Sequence, residues 1–258
     1  MEQTFYKYQG TGNDFIMIDN RNLHFDKTAT ATVKRLCDRR LGIGADGLIL
    51  IQDHPDFDFE MVYFNADGNI GSMCGNGGRC AVKFARRLTI ISDEAYFLAA
   101  DGDHHASVES DVVFLKMANV TEIEQTDNAY YLKTGSPHYV QFVDNLHAFE
   151  VFNEGKNIRN NNRFKEVGTN VNFAEILPDN TLFVRTYERG VEDETLSCGT
   201  GVTATALAAH LKGFESPVKI KTLGGELQVS FEKDGDLYHN IYLSGPAKMV
   251  FKGHIEIV

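Results

Sequence analysis

The feature that most constrains this chain is a motif that occurs twice. Cys74-Gly75-Asn76-Gly77 is echoed 124 residues later by Cys198-Gly199-Thr200-Gly201, in a chain of 258 residues. One echo of four residues carries little weight, but two further anchors keep nearly the same offset. Phe5-Tyr6 and Gly10, leading to Asp19-Asn20, match Tyr130-Tyr131 and Gly135, leading to Asp144-Asn145, at an offset of 125. Asp101-Gly102 with Val108 and Glu109 matches Gly224-Gly225 with Phe231 and Glu232 at an offset of 123. Anchors in one order at one spacing predict an internal duplication, with two similar halves meeting near residue 118.

Within the halves, apolar patterning predicts strands over Phe15–Ile18, Leu48–Ile51, Glu60–Phe64, Tyr139–Val143 and Leu182–Tyr187. Helical spacing predicts helices over Gly78–Leu88 and Val202–Lys212, whose basic ends suit a helix C-terminus, and a third over Thr30–Arg40. Many strands and few helices, without strict alternation, make the expected class α+β.

Composition removes several kinds of function. Apolar runs such as Leu48–Ile51 fall far short of the ~18 residues of a membrane span, so no membrane partner is expected. Met1 to Lys7 has neither a basic nor an apolar leader region, which predicts a cytoplasmic protein with reduced thiols. Lys and Arg number 25 against 36 Asp and Glu, a net charge of −11, so a phosphate backbone is an unfavourable partner and no nucleic acid is expected. Glycine is in excess, 23 of 258 residues, which is about 9% against a usual ~7%.

The repeated motif accounts for part of that excess. Each Cys-Gly-x-Gly stands where a loop enters a helix, so its thiol meets the positive helix end, which favours the thiolate. The glycines let a ligand reach bare backbone, and a carboxylate can rest on the N–H groups of the first turn. Two such sites suit inversion of a carbon-bound stereocentre: one base removes a proton from one face while an acid supplies a proton to the other. Fixed dipoles stabilise the charge that develops beside the carboxylate, so neither metal nor pyridoxal cofactor is required. Cys37 and Cys80 lack the glycine context and are expected to pack. Cys74 and Cys80 do not form a zinc pattern. His104-His105 is expected in an exposed turn and Asn160-Asn161-Asn162 in a solvated loop.

Several segments together resemble the diaminopimelate epimerase family: Lys7 to Arg21, Gly42-Ile43-Gly44-Ala45-Asp46-Gly47, Phe64-Asn65-Ala66-Asp67-Gly68, Cys74 to Cys80, Gly135-Ser136-Pro137-His138, Glu188-Arg189-Gly190 and Cys198 to Gly201. They span nearly the whole chain in family order. The resemblance implies two pseudo-symmetric α/β halves, each a mostly antiparallel sheet around a central helix. The halves are expected over 1–117 and 118–248, with a last strand near 249–258 packing back on the first and the active site in the cleft between them. It implies cofactor-independent interconversion of LL- and meso-2,6-diaminopimelate, feeding lysine and peptidoglycan synthesis. A small amino acid is then the partner, and by resemblance alone a homodimer is expected.

Carried over residue by residue, Cys74 and Cys198 match the acid/base pair. Gly75-Asn76 and Gly199-Thr200 match the backbone donors to the reacting carboxylate. Asn13, Asn65, Asn170, Glu188 and Arg189 match substrate-binding positions; on spacing alone the three asparagines read as turn formers. Arg189 suits a distal carboxylate and Glu188 the region of an ammonium. Asn65 and Arg189 each lie nine residues before their cysteine, equivalent places in the two halves. His138 matches a histidine near one cysteine, to be read either as tuning that thiol or as a structural hydrogen-bonding group. Gly47 stands where some members have Gln, and Ser136 where many have Asn, both affecting binding contacts. A proline or hydroxyproline epimerase is the rival of the same class, but it typically has His at the place of Asn76 and does not need Arg189. A thiol redox protein would leave the two glycine-rich helix starts unexplained.

Overall fold

The structure, a computed structural model, describes residues 2–71 and 73–257; position 1, which opens the expected first half, and position 258, which ends the expected last strand, lie outside the described residues. In chain order the elements are β1 (Glu2–Gly10), β2 (Asn13–Asp19), α1 (Thr30–Cys37), β3 (Gly47–Gln52), β4 (Phe59–Asn65), α2 (Gly75–Arg87), β5 (Glu94–Ala99), β6 (Gly102–Glu109) and β7 (Val112–Lys116). There follow β8 (Ile123–Gln125), β9 (Ala129–Lys133), β10 (Pro137–Phe142), α3 (Val151–Arg159), β11 (Asn170–Ile176), β12 (Leu182–Glu188), β13 (Asp193–Thr195), α4 (Gly199–His210), β14 (Val218–Thr222), β15 (Gly225–Asp234), β16 (Leu237–Pro246) and β17 (Lys248–Glu256). Two compact units result, one running up to Leu115 and resuming at Gly245, the other spanning Lys116–Ser244.

In the first unit β1 pairs antiparallel with β2, β2 parallel with β3, β3 antiparallel with β4 and β4 parallel with β5. β5, β6 and β7 follow as antiparallel neighbours, and β17 lies antiparallel on the free side of β1. In the second unit β9 to β12, then β14, β15 and β16, repeat that series: antiparallel, parallel, antiparallel, parallel, antiparallel, antiparallel. The duplication in the sequence is thus a duplication of strand order, with α2 and α4 in equivalent places and α1 matched by α3.

The run Leu48 to Ile51 shows why each helix sits where it does. All of β3 is buried, on both faces. Leu48 and Leu50, with Ile16, Ile18, Val62 and Phe64, pack under Val33 and Leu36 of α1. Ile49, with Phe15 and Met61, faces Gly77 of α2 on the other side. A strand covered on both faces reads as a continuous apolar run. In the second unit Val171, Phe173 and Tyr187 pack with Val151 of α3, where Gly155 lets the helix approach: a Cβ there would lie 2.4 Å from that of Tyr187.

α4 is buried along nearly its whole length, and its small residues allow that. Two of its hydroxyls return to its own backbone, Thr203 to Gly199 O at 3.0 Å and Thr205 to Gly201 O at 2.8 Å. No helix is long and apolar enough to cross a membrane among the described residues.

The structure corrects several local expectations. α2 and α4 begin at Gly75 and Gly199, three residues earlier than helical spacing predicts, because the glycine-rich segments are themselves helical. α1 ends at Cys37 rather than Arg40, since Asp38 turns extended and its carboxylate accepts the N–H groups of Arg40 and Leu41, both at 2.7 Å. His104 and His105 lie in β6, not in a turn, bonded to Asp101 at 3.1 Å and to Glu94 at 2.7 Å. The helix α3 has no counterpart in the sequence reading.

Candidate active site

Cys74 stands immediately before α2 in extended backbone, φ −103° and ψ 125°. Its carbonyl accepts the Gly78 N–H at 2.7 Å, so it opens the helix. The first-turn N–H groups have no acceptor within the helix and carry its positive end. Cys198 holds the same place before α4, with φ −119°, ψ 111°, and its carbonyl takes the Val202 N–H at 2.9 Å. Each unit therefore presents one thiol at one glycine-opened helix N-terminus. Gly201 is a steric requirement too, since a Cβ there would come 2.3 Å from Asn172 Oδ1, whereas one on Gly77 would come 3.2 Å from the end of the Ile49 side chain.

Around Cys74 the partners are amides held by charge. Its Sγ donates to Asn13 Oδ1 at 3.5 Å. Asn13 is fixed in turn, because its Nδ2 donates to Asp46 at 2.6 Å and Asp46 pairs with Arg39 at 2.7 Å. Arg39 also holds Asp14 at 2.7 Å, and Lys7 reaches the other oxygen of Asp14 at 2.7 Å while donating to Gly44 O. Burial opposes ionisation of Asp14, but the hydrogen bonds from Arg39 and Lys7 outweigh it and take the carboxyl down to about 2. Asn76 donates to Asn13 Oδ1 at 3.4 Å and accepts from Arg79 at 3.0 Å.

Arg79 has 0% exposure and also donates to Gly75 O and Thr11 Oγ1, both at 3.2 Å. Its Nε has no acceptor among the described residues, burial lowers its pKa, and its charge acts on the Cys74 and Cys80 sulfurs. An Arg in a buried helix face, one turn after the cysteine, was the available signal for it, and the sequence reading passed over it.

Around Cys198 the partners are hydroxyls and an imidazole. Its Sγ lies 3.6 Å from Thr200 Oγ1. That hydroxyl lies 2.9 Å from His138 Nε2 and 3.2 Å from Ser136 Oγ, and Ser136 lies 2.9 Å from the same His138 nitrogen. His138 has 0% exposure; burial first, and the nearby Arg189 charge second, push its pKa from 6.5 down to about 3, so the ring is neutral. On its other side His138 Nδ1 meets Asn172 Nδ2 at 3.1 Å. Asn172 is a polar residue on the strand face turned to α4, where Asn170-Val171-Asn172-Phe173 alternates; that alternation was its signal.

The remaining expected binding residues fall into two groups. Asn170 links Ser136 to the Arg189 segment: its Nδ2 donates to Ser136 Oγ at 3.1 Å and its Oδ1 accepts the Arg189 N–H at 2.9 Å. Arg189 is half-buried, with Nη1 donating to Val167 O at 3.1 Å, and Glu188 accepts from Thr195 at 2.9 Å. Asn65 is exposed at the end of β4, where its carbonyl accepts the Gly68 N–H at 2.9 Å. Gly47 has a reason independent of ligand, since a Cβ there would meet Phe64 O at 2.5 Å. Cys37 and Cys80 are buried, and burial pushes both thiols up to about 12, which makes them packing groups at neutral pH.

The sequence pattern of the family described as "Diaminopimelate epimerase" matches residues 5–122 and 130–250, one stretch in each half. The chain belongs to the diaminopimelate epimerase family. A diaminopimelate epimerase of Flavobacterium psychrophilum is 54% identical over 250 residues, which is 96% of this chain and 98% of the relative. Among solved structures, a phenazine biosynthesis protein of the PhzF family from Bacillus anthracis superposes with TM-score 0.80 at 13% identity, covering 100% of each chain. A hydroxyproline epimerase from Agrobacterium vitis, with bound trans-4-hydroxy-L-proline, gives TM-score 0.71 at 13% identity, covering 98% of this chain and 92% of that one. At such identities these two structures share the fold. The two matched stretches include Cys74 and Cys198, which stand before α2 and α4.

Proposed function

We propose that this protein is an isomerase that interconverts LL- and meso-2,6-diaminopimelate by moving one proton at the α-carbon, with Cys74 and Cys198 as the acid and base. The observation that carries the reading is the repeated one: two cysteines, each at a glycine-opened helix start, with matching backbone conformations in a duplicated fold. One sulfur, as thiolate, takes the α-proton; the other, as thiol, gives its proton to the opposite face, and the roles reverse with the reaction direction. The Gly75-Asn76 and Gly199-Thr200 N–H groups receive the reacting carboxylate and stabilise the charge that develops next to it.

Asn13, Asn65 and Asn170 serve as binding residues, Arg189 takes the distal carboxylate and Glu188 the distal ammonium. A substrate with a second charged end is what gives Arg189 and Glu188 a use, which favours diaminopimelate over a proline-type substrate. The activity belongs to lysine and peptidoglycan-precursor synthesis, in the cytoplasm, and the protein works as a homodimer. The test is direct: metal-stripped protein incubated with LL-diaminopimelate should form the meso isomer, followed by chiral chromatography. Absence of conversion in either direction would overturn the reading.

A further inference from the structure

We propose that Asn172 is a positioning residue for the acid/base chemistry, fixing the His138 tautomer so that the Thr200 hydroxyl donates its proton toward the Cys198 sulfur. The inference rests on Cys198 serving as an acid/base thiol. It begins with an amide whose orientation is settled by its neighbours. Asn172 Nδ2 donates to Tyr139 O at 3.0 Å, and a backbone carbonyl only accepts. Its Oδ1 accepts the Thr186 hydroxyl at 3.0 Å, as that orientation requires. The second Nδ2 hydrogen then points at His138 Nδ1, 3.1 Å away, so Nδ1 carries the lone pair and the single ring proton is on Nε2.

Donors are then counted outward from the ring. Nε2–H donates to Thr200 Oγ1 or Ser136 Oγ, each at 2.9 Å. Ser136 also accepts from Asn170 Nδ2 at 3.1 Å, and that amide is oriented by the Arg189 N–H on its Oδ1 at 2.9 Å. Two donors thus enter the Ser136–Thr200 hydroxyl pair from behind. Their own hydrogens are passed forward: Ser136 to Thr200 at 3.2 Å, and Thr200 to Cys198 Sγ at 3.6 Å. With Ser136 donating to Thr200, either routing from His138 leaves the Thr200 hydrogen for the sulfur. A donor on sulfur favours the thiolate over the thiol. The opposite tautomer would draw a hydroxyl hydrogen back onto Nε2 and turn Thr200 away from Cys198.

This makes His138 a relay that hands on a hydrogen bond, not a base that takes the cysteine's proton. The charged groups nearby are consistent with that: the Arg189 cation acts against protonation of the ring, Glu188 is engaged with Thr195 at 2.9 Å, and Arg185 is held by Glu194 at 2.6 Å.

The test uses readouts that need no substrate. In 15N-labelled wild-type protein at pH 6 to 9, the His138 ring should show a protonated Nε2 and an unprotonated Nδ1; a protonated Nδ1 would overturn the proposal. Second, alkylation of Cys198 by iodoacetamide is followed against pH by peptide mass spectrometry. Thr200→Val should raise the apparent pKa by about one unit, slowing alkylation about tenfold at pH 7, and Thr200→Ser should restore it. Asn172→Val should give the same slowing. The double variant should be about tenfold slower, not a hundredfold, because both act through one hydroxyl. An unchanged pKa in Thr200→Val, or additive effects in the double variant, would refute the relay. Should Asn172→Val not fold, the ring tautomer and the Thr200 pair still decide. Failure of epimerisation with these results intact would instead count against the proposed activity alone.

Discussion

Acidification should destabilise this protein through one identifiable group. His138 is wholly buried, and desolvation, with the Arg189 charge second, holds its folded pKa at about 3 against 6.5 for a free histidine. As pH falls below 6.5 the unfolded chain takes up a proton at this position and the folded chain does not. The folded state therefore loses stability as pH drops through the window from 6.5 toward 3. The slope approaches about 1.4 kcal/mol per pH unit once the unfolded histidine is protonated, which amounts to about 2 kcal/mol between pH 7 and pH 5. That is a sizeable share of a typical ~5–15 kcal/mol. Full burial leaves little solvent screening to reduce it. His138→Gln lacks the titrating group, while all other titrating groups are shared, so their contributions cancel in the difference. Urea unfolding of both proteins at pH 7 and pH 5 isolates the effect. The stability advantage of wild type over the variant should shrink by about 2 kcal/mol on going to pH 5. Parallel pH curves for the two proteins would refute the claim that this imidazole is held neutral by burial.

Three other outcomes are expected. Cys74→Ala and Cys198→Ala should each abolish epimerisation in a chiral assay without changing the melting temperature by more than a few degrees, and activity retained in either would remove that thiol from the mechanism. Gly201→Ala should destabilise by about 1–3 kcal/mol in thermal or urea unfolding, since its Cβ would sit 2.3 Å from Asn172 Oδ1 and force α4 away from β11; an unchanged melting temperature would show that the contact relaxes freely. Asp14, held at about 2 by Arg39 and Lys7 against 3.8 unfolded, adds stability that is fully present above pH 4 and fades as pH falls toward 2. Asp14→Asn should lose that share at neutral pH and show a flatter acid limb, read by circular dichroism from pH 5 to pH 2.

Much of this architecture is legible in the chain because a duplication writes each feature twice. The Cys-Gly-x-Gly pair marks both helix starts, and strands such as Leu48 to Ile51 announce themselves by buried apolar runs. What escaped was set by tertiary contact. Gly75 to Gly77 read as loop because glycine is a poor helix former, yet this turn of α2 packs closely against Ile49, Met61 and Phe15. α3 carries Gly155 and two asparagines inside nine residues, so its propensity is weak; packing against Tyr187 makes it a helix. His104 and His105 read as a turn because Asp-Gly-Asp precedes them, but strand pairing with Phe97 and Tyr96 decides otherwise. Arg79 and Asn172 show in the sequence only as polar residues on apolar faces, for a different reason. Each acts through partners more than 30 residues away, Thr11 for one and His138 for the other, and no local pattern reports such pairs.

The central claim, two thiols acting as separate base and acid, is tested most directly by isotope incorporation at the α-carbon in D2O. Starting from LL-diaminopimelate and sampling at a few per cent conversion, the meso product should carry deuterium at the inverted carbon in essentially every molecule, while recovered substrate carries almost none. Product that retains the original hydrogen, or substrate that exchanges as fast as product forms, would indicate a single base serving both faces and would contradict the account.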